Sequence, residues 1–187
     1  MRLVLLLGLA QAAHGAALGE DCLARVRQTA LSVAARSYPS LAGNALAVEA
    51  FRSDFDFFQA RVHRGWGSAA QRVYVVRVNE KVCADPLGPA ALEGVLAHEL
   101  AHLDSYTRMS RRQLIRLAWT YLTDRDGAEV RDYERATDRA AARAGYAEGL
   151  IAYRDWMIRK VSPSDAKRKE KTYLSPDELR REARVSP

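Results

Sequence analysis

The stretch Leu96-Ala97-His98-Glu99-Leu100-Ala101-His102 determines how the rest of this 187-residue chain is interpreted. Positions four apart in an α-helix lie on one face, so the imidazoles of His98 and His102 can reach a common ion. Glu99 lies beside them, and its small or apolar neighbours allow the helix to be buried. This H-E-x-x-H spacing is typical of zinc sites in metalloproteases, where the glutamate acts as a base. The alternative is a pair of helix histidines without a metal.

A third protein ligand is needed, because a catalytic zinc has three protein ligands and an open position for water. No histidine follows His102, so we expect a carboxylate. Glu134 and Asp138 are again four residues apart on a predicted helix. We assign Glu134 to the metal and expect Asp138 to accept the second N–H of a ligand histidine, His98. Glu129 is the rival ligand, and a surface salt bridge is the alternative role of Glu134.

The pattern of apolar residues and breakers predicts an α+β fold with a small antiparallel sheet packed on a helical bundle that contains the active-site helix. The clearest strand alternates around three β-branched residues, and Gly145 closes one of the helices. Helices are predicted at 21–37, 90–105, 109–122, 126–144 and 146–161, and strands within 55–62 and at 72–78.

A strand, an H-E-x-x-H helix and a later E-x-x-x-D helix together resemble the gluzincin peptidases. The local forms at 98–102 and 134–138 are similar to the family of the CAAX prenyl protease and HtpX. Without the transmembrane helices of those proteins, the chain looks more like the soluble minigluzincins, over about residues 71–156. The resemblance implies a zincin-like peptidase fold with His98, His102 and Glu134 as ligands and Glu99 as base.

Many gluzincins use a later histidine or a tyrosine to stabilise the oxyanion. This chain has no late histidine, and the sequence does not choose among Tyr133, Tyr146 and Tyr153.

The expected function is that of a zinc-dependent metalloendopeptidase. It would hydrolyse peptide bonds through a zinc-activated water, with Glu99 as general base. Strand 72–78 could pair with an extended peptide if it lies at the sheet edge; an interior position is the alternative. One competing hypothesis is a catalytically inactive zincin-fold binding module of the cell envelope. Another is a basic envelope or nucleic-acid-binding protein with incidental histidines.

The chain divides into a predicted signal peptide at 1–17, a metallopeptidase domain at 18–161 and a basic C-terminal tail at 162–187. The first residues contain a single positive charge, then a short apolar run and then small residues. This pattern is typical of a signal peptide that is cleaved after Gly15 or Ala17. We expect the tail to be mobile or wrapped on the surface, and in minigluzincins such a segment can block the cleft. Cys22 and Cys83 are expected to form a disulfide, as in other exported chains.

These features predict a secreted or periplasmic protein that acts on a peptide or protein substrate, without stable membrane insertion after signal cleavage. The net charge of +6 is spread along the chain, as in an ordinary solvated surface. No nucleic-acid-binding signature is present, so we expect no nucleic-acid partner. The oligomeric state is not predicted.

Overall fold

The computed structural model describes residues 3–63, 72–124 and 127–185. Over these residues the chain is α+β and mostly helical, with one small sheet. The elements in chain order are α1 (Leu3–Ser37), a 3₁₀ turn (Pro39–Leu41), β1 (Ala45–Phe51), β2 (Phe58–His63), β3 (Val73–Asn79), α2 (Glu80–Ala84), α3 (Pro89–Thr107), α4 (Arg111–Thr123), α5 (Ala128–Ala141), a π-turn (Ala142–Tyr146), α6 (Ala147–Ile158), α7 (Pro163–Thr172) and α8 (Pro176–Arg184).

The three described strands form a mixed sheet in the order β1-β3-β2, so the expectation of an antiparallel sheet was only half right. Strand β2 is antiparallel to β3, but β1 runs parallel to it. The parallel pairing of β1 with β3 follows from the path of the segment between β1 and β2. This segment crosses from one edge of the sheet to the other. Asn79 fixes this crossing, because its side-chain amide donates to the carbonyls of Ser53 and Asp56 at 2.7 Å each.

The predicted strand at 72–78 is β3, and it lies in the centre of the sheet rather than at its edge. Both its neighbours are paired to it, so it has no free edge for a peptide among the described strands. Strand β1 was not predicted as a strand of its own, and the strand predicted within 55–62 begins only at Phe58. Among the described strands, the free edge near the candidate site is therefore that of β2.

Helix α3 is the centre of the core, and most of its residues are buried. It lies directly against α6, where Gly94 and Gly149 face one another. A Cβ added at Gly94 would lie 2.1 Å from the carbonyl carbon of Gly149, so only glycine allows this approach. The Tyr38 hydroxyl donates to the Ala97 carbonyl at 2.7 Å and holds the end of α1 against α3.

The predicted disulfide is confirmed: Cys22 in α1 is bonded to Cys83 in α2, with their Cα atoms 5.6 Å apart. This bond attaches the N-terminal helix to the segment that follows the central strand. Helix α1 begins well before the predicted helix at 21–37 and includes most of the predicted signal peptide, while residues 1 and 2 lie outside the described residues. None of the helices in the described ranges combines the length and apolar character needed to cross a membrane.

The C-terminal segment forms two helices packed on the domain, where the sequence suggested a mobile or surface-wrapped tail. Leu174 and Leu179 are buried, and each such side chain contributes about 1.5–3 kcal/mol relative to exposure. Both helices begin with a serine N-cap, at Ser162 and Ser175. The segment therefore contributes to the core and helps to shape the cleft described below.

Candidate metal centre

The two histidines of the motif lie on the buried face of α3, each 5% exposed. Their Nε2 atoms are 3.1 Å apart. Glu134, on α5, brings its Oε2 to 3.1 Å from Nε2 of His98 and 3.2 Å from Nε2 of His102. The three predicted ligands therefore converge, and they form a buried group positioned to bind a metal ion.

The neighbours of the two imidazoles fix their tautomers. The carboxylate of Asp138 only accepts, so His98 donates its Nδ1–H to Asp138 Oδ1 at 2.9 Å. Thr137 donates its hydroxyl to the Tyr133 carbonyl at 3.0 Å, so its oxygen accepts from Nδ1–H of His102 at 3.3 Å. Both Nε2 atoms are then free to present lone pairs to the centre of the triangle.

This donor set fits a zinc ion. Two imidazole nitrogens and one carboxylate oxygen are the ligands of many catalytic zinc sites, which retain a fourth position for water or substrate. A tetrahedral zinc with bonds of about 2.0–2.1 Å separates its ligand atoms by about 3.3–3.4 Å. The observed edges of 3.1–3.2 Å are close to that spacing. Three lone-pair atoms facing one another at this distance would repel without a cation or a proton between them.

Glu134 is held in place by a residue that the sequence did not indicate. Tyr121, on α4, donates its hydroxyl to Glu134 Oε1, which leaves Oε2 directed at the histidines. Burial alone would raise the pKa of Glu134, but the neighbouring His102 and His98 lower it well below the usual value. Burial and the adjacent carboxylate raise the pKa of Tyr121, so this phenol stays a neutral donor.

The rival ligand Glu129 lies outside this group. It is exposed in the first turn of α5, and its carboxylate accepts from the Thr120 hydroxyl at 3.3 Å.

Asp138 is fully buried and accepts from three donors, one of which is the predicted His98. Arg154, on α6, donates to Oδ1 at 2.5 Å, and the backbone N–H of Leu174 donates to Oδ2 at 2.8 Å. Burial alone would raise the pKa of Asp138, but Arg154 and His98 lower it. Burial alone would lower the pKa of His98, but its hydrogen bonds with Asp138 and Glu134 raise it to about 10. One carboxylate thus connects a predicted ligand with the C-terminal segment.

Glu99 is 7% exposed and lines the same cleft as the two histidines. Its carboxylate makes no hydrogen bond to any residue within the described ranges. Burial raises its pKa, although His98 and His102 act in the opposite direction. A carboxylate that is buried, unbonded and directed at a cavity is suited to accept and return a proton.

The cleft above the triad has a volume of about 1100 Å³. Its floor is formed by His98, His102, Glu134 and Glu99. Strand β2 lines one side, and α7 with the residues that follow it lines another. The three tyrosines left open by the sequence have other contacts. The hydroxyl of Tyr133 is hydrogen-bonded to that of Ser105 at 2.7 Å, and the hydroxyl of Tyr146 to that of Ser37 at 3.0 Å. The ring of Tyr153 packs on Phe58. None of the three lines the cleft.

Tyr173 lies in the cleft instead, immediately after α7. Its ring centroid is 5.9 Å from that of His98, and the Arg154 guanidinium is 4.4 Å from the centre of its ring. Its backbone carbonyl accepts from Arg135 at 2.9 Å. No residue in the described part of the chain forms a hydrogen bond with its hydroxyl. Tyr173 could not be singled out from the sequence, because it lies in the segment expected to be a mobile or surface-wrapped tail.

Comparisons with protein-family models, with curated proteins and with solved structures find no match for this chain. The resemblance to gluzincins therefore rests on the residues and their geometry alone.

Proposed function

We propose that the chain is a zinc metalloendopeptidase of the gluzincin type with a zincin-like fold. The observation that carries the proposal is the convergence of Nε2 of His98, Nε2 of His102 and Oε2 of Glu134, with Glu99 at the same cleft. A purely structural zinc site normally fills all four positions with protein ligands and has no use for an adjacent base. Three ligands beside an open cleft favour catalysis.

Glu99 accepts the proton of the attacking water and later delivers it to the departing amine. Its buried position supports this role, because the raised pKa of its carboxyl brings the group closer to neutral pH. When bound, zinc supplies Lewis acidity that polarises the scissile carbonyl and acidifies water. Asp138 and Thr137 hold the imidazoles in the Nδ1–H form, so that both Nε2 atoms remain available.

Tyr173 is the group that we assign to the oxyanion. Its hydroxyl is free of hydrogen bonds to other described residues, and its ring lines the cleft beside His98. The Arg154 guanidinium beneath the ring holds the phenol in position. A neutral phenol of this kind can donate to the charge that develops on the substrate carbonyl oxygen.

The substrate is an extended peptide or protein segment. Strand β2 is the free edge of the described sheet on this side, and residues 58–61 line the cleft. Backbone hydrogen bonds along such an edge would align the peptide bond over the metal centre without strong sequence selection.

The expected compartment is outside the cytoplasm, at the cell exterior or in a periplasm. The Cys22–Cys83 disulfide supports this, because disulfides persist in oxidising compartments. The signal peptide at 1–17 is part of the same proposal.

The test is digestion of casein by the zinc-loaded chain, compared with the Glu99→Gln variant. We expect hydrolysis by the unchanged chain, inhibition by a chelator and restoration by zinc. Glu99→Gln should retain one zinc per chain while losing about a thousandfold or more of the rate, since both proton transfers are removed. A chain that binds zinc but hydrolyses no peptide would favour the competing hypothesis, an inactive zincin-fold binding module.

A further inference from the structure

The cleft has a strongly positive lining outside the metal centre. Besides Glu99 and Glu134, the described residues that line it include two acidic ones, Asp56 and Asp124, and six basic ones. The basic residues are Arg61, Arg131, Lys167, Arg168, Lys169 and Lys171. Because a cleft with low-dielectric walls concentrates the field of its lining charges, this surplus will attract anionic ligands toward the metal centre.

Helix α7 contributes four of these cations, of which two are available to a ligand. Arg168 is paired with Asp165 at 2.9 Å, and Lys169 with Asp56 at 3.4 Å. Lys167 and Lys171 are exposed, and neither forms an ion pair with a described residue. They are four residues apart and therefore share the face of the helix that borders the cleft.

A second cavity of about 280 Å³ opens beside the first, since the two share lining residues from β2, α3 and α4. Among the described residues, three arginines line it, Arg61, Arg72 and Arg111, together with apolar side chains of β2 and α4. We call it the arginine pocket.

Arg72 is only 4% exposed, yet no carboxylate of the described residues pairs with it. Its guanidinium donates to the backbone carbonyls of Tyr106 and Met109 at 2.8 and 2.9 Å. Its Nε has no hydrogen-bond partner among the described residues. A buried guanidinium without a counter-ion is costly, and an anion in the pocket would offset that cost. Arg61, at the boundary of both cavities, is exposed and forms no ion pair with a described residue.

We propose that the cleft selects acidic peptides, with a substrate carboxylate placed in the arginine pocket and further acidic residues along Lys167 and Lys171. This inference rests on the proposed peptidase function and names its substrate class. A peptide fits better than a nucleic acid, because the pocket pairs its arginines with apolar walls from Val62, Leu114 and Leu117 and adjoins a free strand edge.

The experiment measures binding separately from hydrolysis. Three fluorescein-labelled decapeptides share an apolar centre. The acidic one is flanked by Glu and Asp, the neutral one by Gln and Asn, and the basic one by Lys. Their binding to the zinc-loaded Glu99→Gln variant is measured by fluorescence anisotropy. The same binding is measured with the chelator-treated unchanged chain, so that the result does not depend on the folding of the Glu99→Gln variant. We expect the acidic peptide to bind about tenfold more tightly than the neutral one at low salt. The preference should shrink as NaCl is raised toward 0.5 M, because screening weakens exposed charge interactions.

Charge-reversal variants locate the interaction. The triple variant Arg61→Glu, Lys167→Glu and Lys171→Glu should abolish the preference for the acidic peptide. The control for a single charge reversal is Arg27→Glu, an exposed arginine on α1 that borders neither cavity, and it should leave the preference unchanged.

The outcomes separate this inference from the proposed function. Equal binding of acidic and neutral peptides overturns the inference, even if the unchanged chain digests casein. Tighter binding of a single-stranded oligonucleotide than of the acidic peptide also overturns it, in favour of a nucleic-acid ligand. Selective binding of the acidic peptide without any hydrolysis by the unchanged chain supports acidic-peptide selection but rejects the peptidase.

Discussion

Replacing Asp138 with Asn tests the network that connects the proposed metal ligands to the C-terminal segment. The carboxylate accepts from three donors: His98, Arg154 and the N–H of Leu174. An amide has the same shape but only one acceptor atom. If its oxygen faces His98 and Arg154, its NH₂ group points at the N–H of Leu174; if the amide is flipped, its NH₂ faces His98 and Arg154. Either orientation leaves at least one buried donor without a partner.

The expected loss of stability follows from these contacts. Each hydrogen bond to a charged group is worth about 1.5–3 kcal/mol, and the substitution also leaves the largely buried Arg154 without its counter-ion. We therefore expect Asp138→Asn to lower the free energy of unfolding by about 3–5 kcal/mol. Zinc affinity should fall about 10- to 100-fold, because His98 loses the acceptor that fixes its tautomer.

Urea denaturation in the presence of a chelator measures the first effect, and competition with a fluorescent zinc chelator measures the second. The control is Asp132→Asn on the same helix, whose exposed carboxylate lies 3.9 Å from Arg131. It should change stability by no more than about 0.5 kcal/mol. The Asp138→Asn variant could instead lose less than about 1 kcal/mol of its free energy of unfolding and bind zinc as tightly as the unchanged chain. In that case Asp138 does not hold the network together.

Three further predictions concern the oxyanion group, the disulfide and pH. Tyr173→Phe should lower kcat by about 100-fold with little change in KM or in zinc content, measured with a fluorogenic peptide; an unchanged kcat removes this residue from the mechanism. Reduction of the Cys22–Cys83 disulfide should lower the free energy of unfolding, measured by urea denaturation, by about 4 kcal/mol, since the bond closes a loop across 61 positions. A reductant should not destabilise the Cys22→Ser variant further. Without metal, the raised pKa of His98 gives stability that is complete below its ordinary value of 6.5 and disappears toward about 10. The lowered pKa of Glu134 gives stability that is present above its ordinary value of 4.5 and lost as pH falls below it. The chelator-treated chain should therefore be most stable between those ordinary values, and zinc should move the optimum upward; a flat profile from pH 3 to 10 would contradict this assignment.

The residues of the candidate metal site could be predicted from the sequence because their arrangement is local to two helices. His98 and His102 are one turn apart, and so are Glu134 and Asp138, and helical geometry alone puts each pair on one face. Their partners could not be predicted in the same way. Tyr121 approaches Glu134 from a separate helix, and no periodicity in its own segment distinguishes it from an ordinary half-buried tyrosine.

The sheet was predicted less completely, because strand direction depends on the path of the chain between strands. The alternating run of β3 is unambiguous, but β1 contains the exposed Glu49 among partly buried residues and shows no clean alternation. Its parallel pairing depends on the crossing that Asn79 holds through two backbone carbonyls. Such a long-range contact leaves no pattern in the local sequence.

The C-terminal segment contained a signal that composition obscured. Ser175-Pro176-Asp177-Glu178 has the form of a helix start, and Ser175 and Glu178 do form a reciprocal capping box. The many charges nearby suggested a solvated tail, because Leu174 and Leu179 are isolated apolar residues. Their burial depends on α5 and α6, and so could be recognised only once those helices were placed.

In the proposed site, two imidazoles and one carboxylate bind a single zinc. The number of zinc ions per chain can be measured by elemental analysis of the purified protein after dialysis. We expect one zinc per chain in the unchanged protein and in Glu129→Gln, and less than about a tenth of that in Glu134→Gln at the same free zinc concentration. If the unchanged chain takes up no zinc, or if Glu134→Gln retains a full equivalent, His98, His102 and Glu134 are not the ligands of a zinc site.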